Sequence, residues 1–240
     1  MTAPEKRQTI IALHGAGMQA GIWGGIMPHL LDYHVVPVSL PGHDLRREDA
    51  PLASIEAMAQ WVRDYLAGLP QHSSYVLMGH SMGALVALEA ASATNVQSVI
   101  LMGAAAKMPV NEDLLALAVE KPGEAGAMIR KWSIYKAHPQ AEAVATVTKA
   151  IMVSARQEAL AVDLKACHAY AGGTATAAAL QKPALVICGD ADKMTRALDG
   201  QALADLLPQG QHALLSDCGH MMMIEHPIET AFEIKRFLGN

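Results

Sequence analysis

The sequence predicts an α/β protein: a mostly parallel sheet of about six strands flanked by helices. Short β-branched, apolar runs alternate with stretches of helical spacing, first in the amino-terminal part and again near the carboxyl end. Tyr75 to Met78 is continuously apolar, as a strand covered on both faces must be, and Val96 to Met102 reads as the next buried strand. The chain has 240 residues, 52% of them hydrophobic, which is enough for the core of one such domain and argues against disorder.

Thr9 to Leu13 is a short β-rich run ending in His14-Gly15. Trp23, Ile26, Met27, Leu30 and Leu31 then recur at helical spacing and predict a helix. His34 to Leu40 is β-branched and stops at the turn signal Pro41-Gly42. Ser54 is placed to cap a helix whose apolar stripe is Ile55, Met58, Ala59, Val62 and Leu66. Ala57 stands where a capping box would want Glu, so the cap is an ordinary one. The strand Tyr75 to Met78, a helix over Met82 to Ala93 and the strand Val96 to Met102 follow.

From Lys107 to Thr176 no strand pattern occurs. Ala, Met, Glu and Lys dominate there, and Pro109, Pro122-Gly123 and Pro139 punctuate several helices. Strand rhythm returns at Ala184 to Cys188 and at His212 to Ser216. A last helix carries Ile228, Phe232, Ile234, Phe237 and Leu238. The expected organisation is a core of residues 1–106 and 177–240, with residues 107–176 inserted after the fourth strand as a helical lid. Insertions at the carboxyl ends of parallel strands sit over the place where such sheets bind ligands.

The net charge is −5, from 18 basic and 23 acidic residues, so the chain offers no polycation to neutralise phosphates and no nucleic-acid partner is expected. Cys167, Cys188 and Cys218 are odd in number and form no Cys-x-x-Cys pair, which fits reduced thiols in the cytoplasm. The apolar run Ile10 to Leu13 is far too short for a signal-peptide core, and no stretch approaches the ~20 apolar residues of a membrane helix. Neither a His-Glu-x-x-His sequence nor a cysteine cluster occurs, so no metal is expected, and no cofactor. Oligomeric state leaves no mark in the sequence.

The chemistry-bearing signal is Gly79-His80-Ser81-Met82-Gly83, lying between a predicted strand and a predicted helix. A serine hydroxyl is a poor nucleophile at neutral pH. It needs a base to take its proton, a carboxylate to orient that base, and donors for the developing oxyanion. A G-x-S-x-G sequence in a strand–turn–helix context presents its serine for that purpose. The Met82 amide, at the start of the helix, is then one oxyanion donor.

Five landmarks in register extend the pattern along nearly the whole chain: His14-Gly15, Leu40-Pro41-Gly42-His43, the Ser81 turn, Gly189-Asp190-Ala191-Asp192, and Gly219-His220. In this the chain resembles the α/β-hydrolase superfamily, in its lidded esterase, lactonase and lipase-like branch, with the family order Ser, Asp, His. The resemblance implies a Ser81–Asp192–His220 triad, with Asp190 as the runner-up acid and His226 as the rival base. It also implies Ala16 as the second oxyanion donor, with Gly17 as the alternative. His14 and His80 fall beside the site as structural histidines. The implied activity is hydrolysis of a carboxylic ester, lactone or thioester of a small to medium, largely apolar substrate. A carbon–carbon bond hydrolase or lyase with the same triad, and a non-catalytic small-molecule receptor on the same fold, stand as alternatives.

Three departures from the pattern matter. Only eight residues precede the first strand, leaving no room for the family's two amino-terminal strands. Ser39 and Asp44 replace the usual Asp and Gly around Leu40-Pro41-Gly42-His43. Lys193-Met194-Thr195 replaces an apolar-Pro step after the acid. Gly15-Ala16-Gly17-Met18-Gln19-Ala20 mimics a dinucleotide fingerprint, but no acidic residue ends the next strand at Pro37-Val38-Ser39 to hold a ribose, which rejects that reading. Met221, Met222 and Met223 are either adaptable pocket wall or core. Trp132, Tyr135 and His138 either face the substrate or pack the lid.

Overall fold

A computed structural model describes residues 7–70, 74–152 and 156–239. Its strands are β1 (Thr9–Leu13), β2 (His34–Val38), β3 (Tyr75–His80), β4 (Val96–Met102), β5 (Ala184–Gly189) and β6 (Gly210–Leu215). They form one sheet in the order β2-β1-β3-β4-β5-β6, and every neighbouring pair is parallel. After β2 the chain crosses back over β1 and then proceeds in the other direction. That reversal parts the loops after β1 and β3 at the carboxyl edge, where such sheets hold ligands. Pro37 pairs with Ala12 in β2, an edge strand, where a residue without an N–H is tolerated.

Alternate residues of each strand serve opposite faces. Ile11, Leu13, Leu77, Val99 and Leu101 pack beneath α1 (Ile55–Ala67), α2 (Met82–Ala90) and α8 (Ala197–Leu206). Ile10, Ala12, Val76, Met78, Ile100 and Met102 meet Trp23, Met221, Met222, Met223 and Ile234 on the other side. That side is closed by α9 (Met222–Glu225) and α10 (Pro227–Leu238). Ser54 caps α1 as the sequence predicts, its hydroxyl accepting from the Ala57 amide. Helix α2 is apolar nearly all round, the mark of a buried helix. Its one charge, Glu89, accepts from the Tyr170 and Thr176 hydroxyls.

Between β4 and β5 lie five helices: α3 (Glu112–Glu120), α4 (Pro122–Ser133), α5 (Ala141–Met152), α6 (Ala159–Ala169) and α7 (Gly173–Ala179). Leu114, Ala118, Ala125, Ile129, Leu160 and Leu164 give α3, α4 and α6 a small core of their own. Residue 176 falls inside α7, which packs on α2 and α8 of the sheet-bearing part. Among the described residues no helix is long and apolar enough to cross a membrane.

One local expectation needs correction, and two helices pack in ways the sequence does not show. The helix predicted over Trp23 to Leu31 is two short 3-10 turns, Ala20–Trp23 and Met27–His29. Gly21, Gly24, Gly25 and Pro28 break any longer helix, although Trp23, Ile26 and Leu30 still bury. Helix α8 had no signal in the sequence because its buried side is Gly200, Leu203 and Ala204 while Leu198 faces solvent. In α10 the buried side is Thr230, Ala231 and Ile234, and the i,i+4 pair Ile228 and Phe232 points outward.

Candidate active site

The turn after β3 is strained. Ser81 has φ 54° and ψ −119°, a conformation that costs a non-glycine residue about 1–3 kcal/mol. Its amide is anchored, donating to the Met102 carbonyl at 2.8 Å. A Cβ on Gly79 would lie 2.1 Å from the Gly83 oxygen, and one on Gly83 would lie 2.4 Å from the Leu13 oxygen. Only glycine at both positions lets α2 start this close to the ends of β3 and β1. The Met82 amide opens α2, where no preceding turn supplies a carbonyl. Among the described residues the Ala16 amide has no hydrogen-bond partner, whereas the Gly17 amide donates to Asp163 Oδ2 at 2.8 Å.

His220 Nδ1–H donates to Asp192 Oδ2 at 2.7 Å, and both side chains are buried. The Met194 and Thr195 amides donate to Asp192 Oδ1, and the Thr195 hydroxyl donates to Oδ2. Burial opposes a charge on Asp192, but the His220 ring and the Thr195 bonds outweigh it and hold the carboxyl below its ordinary range. The departure at Lys193-Met194-Thr195 thus has a structural content: a proline at 195 would remove one of these amide donors. Asp190 is exposed and accepts from the Cys218 amide at 3.3 Å, the local role of a turn residue.

The backbone of His220 is held from two sides. Its amide donates to the Ser133 carbonyl at the end of α4, and its carbonyl accepts from His80 Nε2–H at 2.9 Å. Glu225, itself buried, accepts from the Gly219, Met221 and Tyr135 amides. Gly103, at φ +54°, lies so close that a Cβ there would be 2.9 Å from the His220 ring.

Above Ser81 and His220 opens a cleft with about 820 Å³ of empty space. Met108, Val110, Leu114, Ile129, Leu164 and Met194 make it largely apolar, and Asn111 and Lys193 are polar groups on its wall.

The sequence profile described as the "Alpha/beta hydrolase family" matches residues 10–233. The chain belongs to this family. An α/β hydrolase of this kind has a relative in the pimeloyl-[acyl-carrier protein] methyl ester esterase of Methylococcus capsulatus, 38% identical over 88 residues, which is 34% of this chain and only 30% of that protein. The protein of the same name from Aromatoleum aromaticum is 28% identical over 252 residues, covering 95% of this chain and 97% of its own. Among solved structures, the enol-lactonase from Burkholderia xenovorans superposes with a TM-score of 0.86 at 22% identity, over 98% of this chain and 93% of that one. That last likeness is one of fold.

Of the residues singled out in the sequence, this α/β hydrolase brings Ser81, His220 and Ala16 to one cleft and sets Asp192 behind His220. Among the described residues Ser81 Oγ has no hydrogen-bond partner. His226 does not approach the cleft; its Nε2–H donates to the Asp217 carbonyl. Met221, Met222 and Met223 are core, not pocket wall. Trp132 lines the cleft, whereas the Tyr135 amide and the His138 ring bond to Glu225. Asp44 accepts from the Ser39 hydroxyl at 3.3 Å. Thr195, Gly103 and Glu225 were missed. Gly103 acts on a ring distant in sequence, and Thr195 and Glu225 act through side-chain bonds to nearby residues that no motif marks.

Proposed function

We propose that the protein is a serine hydrolase that cleaves a carboxylic ester through an acyl-enzyme. The observation that carries the reading is His220 held against Asp192 at 2.7 Å in the cleft that also contains Ser81. Ser81 Oγ attacks the ester carbonyl while its proton passes to His220 Nε2. Asp192 fixes the tautomer and stabilises the imidazolium. The Met82 and Ala16 amides take the oxyanion charge, each such donor being worth about 10²–10³ in rate. His220 then returns the proton to the departing alkoxide. Water, deprotonated by His220, attacks the acyl carbon and frees Ser81.

The apolar wall favours a small to medium hydrophobic acyl group. Helices α3, α4 and α6, which supply much of that wall, act with α5 as its lid, and residues 107–176 are the corresponding unit. The names of the methyl ester esterases above support ester cleavage over carbon–carbon cleavage or ligand sensing. Three buried free cysteines favour a reducing compartment, the cytoplasm.

Hydrolysis of a panel of p-nitrophenyl esters, with Ser81→Ala as control and a fluorophosphonate probe as label, tests the reading. The wild type is expected to turn over and to carry the label on Ser81, and the variant to do neither. Turnover by Ser81→Ala at the wild-type rate, or a wild type that takes no label, overturns it.

A further inference from the structure

The strongest buried polar cluster outside the triad lies on the far side of the oxyanion loop. Asp163, on α6, is completely buried. Its Oδ2 accepts two hydrogen bonds, one from the Gly17 amide at 2.8 Å and one from His43 Nε2 at 2.9 Å, and its Oδ1 has no partner. His43 comes from the Leu40-Pro41-Gly42-His43 loop after β2. Its other ring nitrogen, Nδ1, lies 3.0 Å from the Pro41 carbonyl. Both of these partners are acceptors only, so both ring nitrogens must carry protons and His43 is an imidazolium. The neighbouring His14 is the opposite case. Its Nε2 accepts from the Leu40 amide and its Nδ1–H donates to the Gly15 carbonyl, so it is neutral. A buried cation and a buried anion therefore face each other, with the Gly17 amide on the anion.

One side of α6 meets this loop. Leu160, Asp163, Leu164 and Cys167 follow the i, i+3, i+4, i+7 pattern that places them in one stripe. Leu160 abuts Gly17, so a Cβ on Gly17 would be 2.7 Å from its Cδ1. Leu164 and Cys167 reach the cleft wall. The loop between β1 and the first 3-10 turn is thus tied to α6 through Gly17, as well as to the sheet through His14.

Resting on the triad reading above, we infer that Asp163 is a positioning residue of the oxyanion hole. Paired with His43, it fixes the Ala16–Gly17 peptide and so aims the neighbouring Ala16 amide at the reacting oxygen. Neither Asp163 nor His43 lines the cleft. Their loss should therefore weaken transition-state stabilisation and leave the ground-state pocket intact.

The test uses Asp163→Asn, which keeps shape and the acceptor for Gly17 but removes the charge, and His43→Gln, which removes the cation if the first variant folds poorly. Active sites are counted with the fluorophosphonate label, and kcat, KM and inhibition by a trifluoromethyl ketone are measured per labelled site. The expectation is a kcat about tenfold lower at near-constant KM, with ketone affinity weakened in the same proportion. A purely structural role would lower the labelled fraction and the melting temperature with kcat per site unchanged. That outcome, in either variant, overturns the inference and leaves the Ser81 assignment standing. Loss of the Ser81 assignment shows separately, in the wild type, as absence of label.

Discussion

His80 donates its Nε2–H to the carbonyl oxygen of His220, and the two rings lie 4.6 Å apart. The residue just before the proposed nucleophile therefore grips the backbone of the proposed base. With Nε2 donating and Nδ1 unpartnered, His80 is neutral, and burial is the main reason its pKa falls to about 3. Replacing it by Phe keeps the volume and orphans the His220 carbonyl. His80→Phe is expected to lose about 1–3 kcal/mol of stability, as for any buried acceptor left unpaired. Urea unfolding measures this, and an unchanged midpoint would refute the clamp.

Thr195 offers a cleaner probe of the carboxylate. Its hydroxyl donates to Asp192 Oδ2 at 2.8 Å, and its amide donates to Oδ1. Thr195→Val removes only the hydroxyl. A hydrogen bond to a charged group is worth about 1.5–3 kcal/mol, so kcat/KM should fall roughly tenfold or somewhat more. Thr195→Pro removes both donors and should fall further. Wild-type activity in both variants would argue that Asp192 needs neither bond.

Gly103→Ala tests steric support of the base. The added Cβ would lie 2.9 Å from the His220 ring, in a backbone conformation with φ +54° that disfavours a side chain. Displacing a reacting group by about 1 Å can cost 10²-fold in rate. A drop of that order with native circular dichroism is expected. Wild-type kcat would mean the ring has room to move aside.

Acid should unfold the protein through its neutral histidines. The pKa of His14 falls to about 3, chiefly by burial and further by the charge of His43. An unfolded chain takes up this proton below about pH 6.5, whereas the folded chain refuses it until near pH 3. Stability therefore declines as pH falls through that interval, by about 1.4 kcal/mol per unit for each such ring. His43 acts in the opposite sense. Burial opposes its charge, but Asp163 and the Pro41 and Leu40 carbonyls raise its pKa, so its contribution is present below pH 6.5 and is lost as pH rises through the folded value. Urea unfolding of His14→Gln between pH 4.5 and 6.5 should show a slope smaller than wild type by about one proton. Identical slopes would mean that His14 is protonated in the fold.

Much of the sheet was legible because its strands announce themselves locally. Val96 to Met102 ends in the apolar run Val99 to Met102 and is bounded as the sequence suggests. Gly79 and Gly83 were legible for a different reason, since a turn this close admits nothing else. Motif register favours Asp192 over Asp190, and it is Asp192 that lies 2.7 Å from the His220 ring. What could not be read was support across distance. The 120 positions between His43 and Asp163, and the 87 between Ser133 and His220, leave no trace in a local pattern. Helix α8 and the outward Ile228 and Phe232 show the converse: apolar spacing records how a helix is built, not which side its neighbours choose to cover.

The bonds from Ser133 and Tyr135 to the His220 segment have an evolutionary consequence. In many architectures an inserted segment can be exchanged to alter substrate range while the reaction centre stays untouched. Here the segment that shapes the cleft also holds the proposed base by its backbone. A descendant that swapped these helices for new ones would inherit a wider choice of substrates and a slackened His220 in the same step, so specificity and turnover are inherited together.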